Sequence, residues 1–238
     1  MIEIKNISKS YKKRQGLKNN KVKVLNHISF NIEEGKVVGI LGINGVGKST
    51  ILKAIAGLIT LDKGEIFIDG ERLSQETYNK LAFVPDINIH FTGFSIKESF
   101  EFMEIFYKNW DKEKAKDMLE RFKLDEDDII DNLSKGNIAR VKIILGFCQN
   151  AKYLLLDEPF SGIDIFTRED FIKAVTRYTQ ENQTIVITTH EIDEIESIVD
   201  DVVLLRENEN VICFNAEELR ENENKSILQK MREVYKSE

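Results

Sequence analysis

A short run of glycine, lysine and hydroxyl residues gives the clearest chemical signal in the sequence. Gly42-Ile43-Asn44-Gly45-Val46-Gly47-Lys48-Ser49-Thr50 fits the pattern GxxxxGK[ST], with a buried strand expected before it and a helix after it. Glycines let backbone N–H groups turn towards phosphate oxygens, and the following helix N-terminus adds a positive partial charge. We expect Lys48 to reach the β- and γ-phosphates of a nucleotide and Ser49 to ligate Mg²⁺. The other residues expected to bind the phosphates are Asn44, Gly45, Val46, Gly47 and Thr50.

A second signal is an apolar segment that ends in two carboxylates, Tyr153-Leu154-Leu155-Leu156-Asp157-Glu158 followed by Pro159. Open α/β sheets bind ligands at the carboxyl ends of their strands, which is where this segment delivers both acids. We expect Asp157 to hold Mg²⁺, directly or through water, and Glu158 to polarise a water for attack on the γ-phosphate. Alone the pattern is weak, because many strands end in solvated acids; beside a phosphate loop it becomes a strong hypothesis.

The elements that position these residues can be read from hydrophobic periodicity. Alternating segments at 1–5 and 28–32 predict strands, and the continuous apolar run Val37 to Leu41 predicts a strand buried on both faces. The stretch from Lys12 to Lys21 is interpreted as a polar basic loop. After Pro85 the pattern is helical up to about Asn150, and further strands are predicted at 153–156, 184–188 and 202–205.

Composition excludes several classes of protein. The 238 residues are 42% hydrophobic and 32% charged, which suits a globular chain with a sizeable core. Lys+Arg 34 minus Asp+Glu 41 gives −7, so a nucleic-acid groove is not expected. Cys148 and Cys213 do not form a disulfide framework, and His27 and His90 lack ligand-spaced neighbours for a structural metal. With no signal peptide and no apolar run of roughly 18 residues, we expect a soluble, cytoplasmic chain.

With these two motifs in place, the sequence resembles the nucleotide-binding domain of ATP-binding cassette (ABC) proteins from Met1 to about Asn215. Leu133-Ser134-Lys135-Gly136-Asn137 is similar to the family's signature motif, usually LSGGQ, and Ser161-Gly162-Ile163-Asp164 is similar to its D-loop. The resemblance implies that His190 is the switch histidine, which contacts the γ-phosphate, and that Tyr11 stacks on adenine. Two of these residues also have a plainer interpretation. Ser134 could simply cap a helix, and His190 could be a structural histidine.

The resemblance implies an α/β fold: a P-loop NTPase core with a mixed sheet, an N-terminal antiparallel β part and an inserted α-helical subdomain. We expect one nucleotide-binding domain over 1–238, with its core at 1–85 and 151–215. The helical subdomain is expected at 86–150 and a C-terminal helical tail at 216–238.

The sequence departs from the family pattern at two places. Asp86 stands where the family usually has a glutamine that senses Mg²⁺ and the attacking water. A carboxylate can also ligate Mg²⁺ or its waters, so we expect Asp86 to keep that role. In the signature, Lys135 and Asn137 replace the usual Gly and Gln, while Ser134 and Gly136 keep the hydroxyl and the close backbone approach for binding the nucleotide.

The resemblance also implies partners. In the family, the signature of one subunit closes over ATP held by another, so we expect a dimer, a homodimer in the simplest case, around two ATP and Mg²⁺. A separate membrane permease is expected to dock near Asp86–Phe106, with Phe91, Phe94 and Phe102 as apolar anchors, and to hold the chain at the cytoplasmic face of the membrane. The motifs resemble those of bacterial cassettes that export peptides or lipid-linked molecules, so we expect an exporter, with antimicrobial or amphipathic peptides as the candidate substrates. The alternative is a soluble ABC ATPase that acts as a clamp or assembly factor.

Overall fold

The computed structural model describes residues 1–15, 18–87, 92–190, 192–206 and 211–236. The strands are β1 (Ile2–Gln15), β2 (Lys18–Ile32), β3 (Val37–Leu41), β4 (Lys63–Ile68), β5 (Glu71–Arg72), β6 (Leu81–Val84), β7 (Tyr153–Asp157), β8 (Thr184–Thr189), β9 (Asp201–Leu204) and β10 (Ile212–Asn215). The helices are α1 (Lys48–Ile55), α2 (Gln75–Tyr78), α3 (Ile96–Phe106), α4 (Lys112–Arg121), α5 (Lys135–Phe147), α6 (Ile165–Tyr178), α7 (Ala216–Glu223) and α8 (Ile227–Lys236).

The central sheet has the strand order β10-β9-β3-β8-β7-β6. Neighbours from β9 to β6 are parallel, with Val37 opposite Ile185 and Leu155 opposite Val186, and β10 is antiparallel to β9. Every residue of β7 and β8 is buried, as expected for parallel strands covered on both faces. This confirms the prediction from the apolar runs and brings the carboxyl ends of β3, β7 and β8 together at one edge.

The second sheet is antiparallel, with the order β2-β1-β4-β5. Its inner face buries Ile2, Ile4, Ile66 and Ile68, which belong to the same hydrophobic cluster as Ile51 of α1. The predicted α/β class, with an antiparallel N-terminal part and a mixed sheet, is therefore confirmed.

The prediction of a polar loop from Lys12 to Lys21 is wrong. Strands β1 and β2 continue their pairing to the tip, with Lys12 opposite Lys21 and Gln15 opposite Lys18. Residues 16 and 17 lie outside the described chain. The ladder pairs the facing backbone groups of the two strands, so the strands extend through a segment whose side chains are mostly polar.

The helices α3, α4 and α5 lie between β6 and β7, as the periodicity predicts. Ser95, Asp111 and Ser134 cap the helices α3, α4 and α5, each by accepting a hydrogen bond from a backbone N–H of the first turn. The division into a core, a helical subdomain at 86–150 and a tail at 216–238 stays a prediction. Within the described ranges, we find no helix with the length and apolar character needed to cross a membrane.

Candidate active site

The glycine-rich loop joins the carboxyl end of β3 to the start of α1. Gly45 and Gly47 have φ of 86° and 115°, in the left-handed region that glycine adopts freely. A Cβ on Gly47 would lie 2.7 Å from Leu25 Cδ2, so the chain packs closely against β2 at this point. The loop can therefore be built only with glycine there, which explains the residue types in the motif.

Lys48 is the first residue of α1, and its side chain is only 4% exposed. Its ammonium group donates hydrogen bonds to the carbonyl oxygens of Gly42 at 2.9 Å and Ile43 at 3.3 Å. It also forms an ion pair with Glu158 Oε1 at 3.1 Å. A buried cation is thus held inside the loop by oxygen atoms, in the place where phosphate oxygens are expected.

Glu158 connects the predicted catalytic residues. Its Oε1 faces Lys48, and its Oε2 lies 2.9 Å from Nδ1 of His190. Its backbone has φ of 44°, which is uncommon for a residue with a side chain, and its N–H donates to the Oγ1 of Thr188 at 3.0 Å. The structure therefore places Lys48, Glu158 and His190 in one contact group.

The predicted metal ligands form a second contact group beside it. Ser49 Oγ donates to Asp157 Oδ1 at 2.7 Å, and Thr188 Oγ1 donates to the same oxygen at 2.8 Å. Asp157 is 2% exposed and ends β7. Sequence reasoning missed Thr188, which contacts the Asp157 carboxylate and the Glu158 backbone N–H. The available signal was a pair of hydroxyl residues, Thr188 and Thr189, at the end of a strand with an apolar middle.

Lys48, Ser49, Glu158 and His190 of these groups line a cavity of about 470 Å³. Its lining residues are Val24, Asn44, Gly45, Gly47, Lys48, Ser49, Thr50, Asp86, Glu158, Ser161 and His190. Loop N–H groups at a helix N-terminus together with a buried ammonium suit a polyphosphate. The hydroxyl of Ser49 and the carboxylates of Asp157 and Asp86 are oxygen donors of the kind that Mg²⁺ prefers. The residues present therefore fit both groups chemically.

The remaining predicted residues divide between this cavity and other places. Asp86 lines the cavity, as just described, whereas Tyr11 does not. Tyr11 lies on β1 opposite Val22 and is 39% exposed, with the ammonium of Lys9 5.3 Å from the centre of its ring. Val24 of the paired strand does line the cavity, so the tyrosine lies on the hairpin that borders it.

The predicted signature residues stand at the N-terminus of α5. Ser134 Oγ accepts a hydrogen bond from the Asn137 N–H at 3.3 Å, so Ser134 does cap the helix. A Cβ on Gly136 would lie 2.7 Å from Thr167 Oγ1 and 3.1 Å from Asp164 Oδ2. The glycine thus allows α5 to pack against the start of α6. Neither Ser134 nor Gly136 lines the cavity around the phosphate loop of the same chain.

Comparisons with known proteins agree with this geometry. The family model for ABC transporters matches residues 25–161. The chain is 30% identical to the ABC transporter ATP-binding protein YtrB of Bacillus subtilis over 224 residues, 93% of this chain and 74% of that protein. It is 33% identical to the aliphatic sulfonates import ATP-binding protein SsuB of Bacillus cereus, covering 86% of this chain and 80% of that protein. It is 28% identical to the SkfA peptide export ATP-binding protein SkfE of Bacillus subtilis, covering 87% and 86%.

Solved structures show the same fold. The structure of an ATP-binding subunit of an ABC transporter superposes with a TM-score of 0.82 at 25% identity, covering 98% of this chain and 99% of that one. A dimeric ATP-binding cassette in a post-hydrolysis state, bound to ADP and Pi, superposes with a TM-score of 0.76 at 25% identity, covering 90% and 98%. The chain belongs to the ABC transporter family and is an ATP-binding subunit with ATPase chemistry.

Proposed function

We propose that this chain hydrolyses Mg-ATP within a dimer and drives a separate membrane permease in an ABC exporter. The contact group of Lys48, Glu158 and His190 carries the proposal. In this group a buried cation contacts a carboxylate, and the carboxylate contacts an imidazole, beside the glycine-rich loop. This is the set that in-line attack of water on a γ-phosphate requires.

In this proposal, Lys48 leaves the loop carbonyls and Glu158 when the β- and γ-phosphates enter, and it neutralises part of their charge. Glu158, released from the lysine, accepts a proton from the attacking water. His190 contacts the γ-phosphate and orients the carboxylate. Ser49, Asp157 and Asp86 would hold Mg²⁺, which supplies charge neutralisation on the phosphate oxygens. The loop N–H groups act most strongly where charge develops in the transition state.

The proposed site is completed by a second copy of the chain. Ser134 and Gly136 stand at an N-terminus of α5 whose backbone N–H groups suit an anion, yet they do not line the chain's own cavity. A head-to-tail homodimer would bring this terminus to the γ-phosphate held by the partner. Tyr11, on the hairpin that borders the cavity, would lie against the adenine ring. Hydrolysis removes the charge that bridges the two chains, so nucleotide state controls closure.

The proposed permease surface extends over Asp86–Phe106, where three large apolar side chains are exposed among charged ones. Ile87, Ile105 and Phe106 are 72%, 77% and 64% exposed. Phe106 also borders a cavity of about 340 Å³ together with Tyr78, Leu81 and Tyr107. Exposed apolar groups beside a cavity suit the docking of a short helix from a partner.

Of the predicted anchors, Phe102 packs against Phe106 with ring centres 4.4 Å apart, and Phe94 is half-buried. Phe91 lies outside the described residues. Docking on such a permease would hold the chain at the cytoplasmic face of the membrane.

The export direction rests on the motif pattern and on the similarity to SkfE, whose name records peptide export. SsuB, an import protein by name, is also similar. The direction of transport therefore has to be measured with the permease present. The transported molecule would be an amphipathic or antimicrobial peptide or a lipid-linked molecule.

The experiment is a gentle detergent pull-down of the tagged chain from its native membranes, followed by mass spectrometry and an ATPase assay. A stoichiometric multi-spanning protein supports the transporter, and its reconstitution in vesicles gives the direction of transport. A soluble partner, or none, favours the alternative of a clamp or assembly factor.

The chain offers a matched pair of variants for this capture. Ile105 and Phe106 lie on the proposed permease surface, and Ile165 and Phe166 form the same pair at the start of α6, 63% and 70% exposed. I105S/F106S should lose the membrane protein, while I165S/F166S should retain it. Equal capture by both variants would place the permease elsewhere.

A further inference from the structure

One face of α5, from Lys135 in the signature to Lys142 two turns further on, borders the proposed catalytic edge. Lys135, Ile138, Ala139 and Lys142 line a cavity of about 210 Å³. Its other lining residues are Asp86, Glu158, Pro159, Ser161 and Ile163. The same helix therefore carries the signature at its N-terminus and a lysine beside this chain's own acids.

Lys142 makes a specific contact in this cavity. Its ammonium donates a hydrogen bond to the backbone carbonyl of Asp86 at 2.9 Å. Burial lowers the pKa of Lys142, while the nearby charges of Asp86 and Asp157 act in the opposite direction. The cation is thus partly removed from water and faces two carboxylates that the proposed function assigns to Mg²⁺.

The hydrogen bond from Lys142 anchors the backbone of the segment that follows β6. Pro85 offers no backbone N–H, so it cannot donate a ladder hydrogen bond where β6 ends at Val84. Asp86 is exposed and lies between this proline and the exposed Ile87. A cation that holds the Asp86 carbonyl fixes the backbone from which the carboxylate projects.

We propose that Lys142 is a positioning residue, which holds Asp86 at the edge of the nucleotide cavity. The inference rests on the proposed function, because it assigns the contact to ATP hydrolysis. It links α5 to the segment after β6, so that a movement of the signature helix shifts Asp86 as well. Lys142 itself touches neither nucleotide nor water in this account.

The test replaces Lys142 by methionine, which keeps the length of the side chain but removes its charge and its donor. In K142M we expect kcat to fall roughly tenfold or more while the affinity for ATP, measured in EDTA, stays within about threefold. Amide hydrogen exchange of a peptide containing Asp86 and Ile87 should become faster. K173M, which removes an exposed lysine from α6, is the control and should match the wild type in all three measurements.

The conservative variant separates positioning from a general loss of structure. K142R keeps a cation that can donate to the same carbonyl, so it should recover most of the turnover and the slow exchange. Wild-type turnover and unchanged exchange in K142M would overturn the inference. An equal loss of ATP affinity, or K142R no better than K142M, would overturn it as well. Hydrolysis by the wild type tests the proposed function separately, so the two can fail independently.

Discussion

The two ends of β7 carry similar sets of ionisable groups with different surroundings. At the carboxyl end, Asp157 and Glu158 meet Ser49, Lys48 and His190 around a cavity of about 470 Å³. At the amino end, the hydroxyl of Tyr153 donates to Asp69. That carboxylate also pairs with the lysines Lys80 at 3.2 Å and Lys152 at 3.0 Å.

At the amino end, protein donors surround the Asp69 carboxylate. Burial alone would raise the pKa of Asp69, but hydrogen bonds lower it well below its ordinary value. Their donors are the Tyr153 hydroxyl, the Met1 amino group, Lys152 and Lys80. Burial, followed by the hydrogen bond to Asp69, raises the pKa of Tyr153. These shifts belong to a cluster that connects β4 and β7 and supports the fold.

The comparison shows that a dense group of charges does not by itself identify a ligand site. What distinguishes the carboxyl end is the glycine backbone beside it, the buried lysine bound to loop carbonyls, and open volume between the charges. Substitutions at the two ends should therefore affect different measurements: turnover and nucleotide affinity at one end, stability at the other.

The largest effect is expected from Glu158→Gln. Removing the proposed general base should reduce ATP turnover by about a thousandfold and leave an ATP-bound dimer that does not open. Steady-state hydrolysis and light scattering in Mg-ATP measure the two parts. E169Q, at an exposed glutamate on α6, should behave as the wild type. A variant that stays monomeric in saturating Mg-ATP would contradict the dimer.

Lys48→Ala should come next. The loss of a charge-assisted contact to phosphate costs about 3 kcal/mol, which weakens ATP binding by roughly a hundredfold in calorimetry. The matched change is K53M, in the last turn of the same helix, and it should bind ATP normally. Wild-type affinity for ATP in K48A would contradict the assignment of this segment as a phosphate-binding loop.

Two threonines near opposite ends of β8 allow a direct comparison of the carboxyl and amino ends of the central sheet. Thr188 at the carboxyl end of β8 contacts Asp157 and Glu158, and Thr184 at its amino end accepts from the Gly35 N–H at 2.9 Å. Both are fully buried, so T188V and T184V should each lose about 1–2 kcal/mol of unfolding free energy. T188V alone should slow turnover, by roughly tenfold. Equal turnover in both variants would make Thr188 a purely structural residue.

The smallest effect is expected from Asp69→Asn, at the other end of β7. Asp69 has φ of 53°, which asparagine also tolerates, so the change mainly removes charge. At pH 7 we expect a loss of about 1 kcal/mol of unfolding free energy with ATP turnover unchanged.

The pH dependence of this loss has a defined sign. Because the folded-state pKa of Asp69 is lowered, its stabilisation is fully present above the ordinary carboxyl pKa of about 4 and is lost as the pH falls below that value. Urea unfolding of both proteins from pH 7 downwards measures it. A difference that grows on acidification would contradict the assignment.

The phosphate loop and the acid-ended strand were predictable from sequence because their chemistry is local. Gly47 and Lys48 are adjacent, and Asp157 and Glu158 end one apolar run, so residue type and spacing carry the information. The buried strands β3, β7 and β8 were predictable for the same reason, since apolar runs of this length suit a parallel sheet.

Other features depend on contacts between distant segments. The outer parts of β1 and β2 show no apolar alternation in the sequence, and their pairing, such as Lys12 opposite Lys21, joins segments that the local pattern does not mark as strands. Thr188 acts through residues 31 and 30 positions away in the chain. A side chain at Gly136 is excluded by the close approach of Thr167 on α6, and the sequence around Gly136 does not indicate this contact.

The ion pair of Lys48 and Glu158 bears on nucleotide loading. In the proposed function the carboxylate competes with phosphate for the lysine, so we expect the apparent affinity for nucleotide to be the intrinsic affinity reduced by the fraction of molecules in which the pair is open. An open fraction of about one in ten would weaken the apparent affinity roughly tenfold. In that mechanism the pair would set a concentration threshold for loading and would keep Glu158 from acting as the base until phosphate has taken its place.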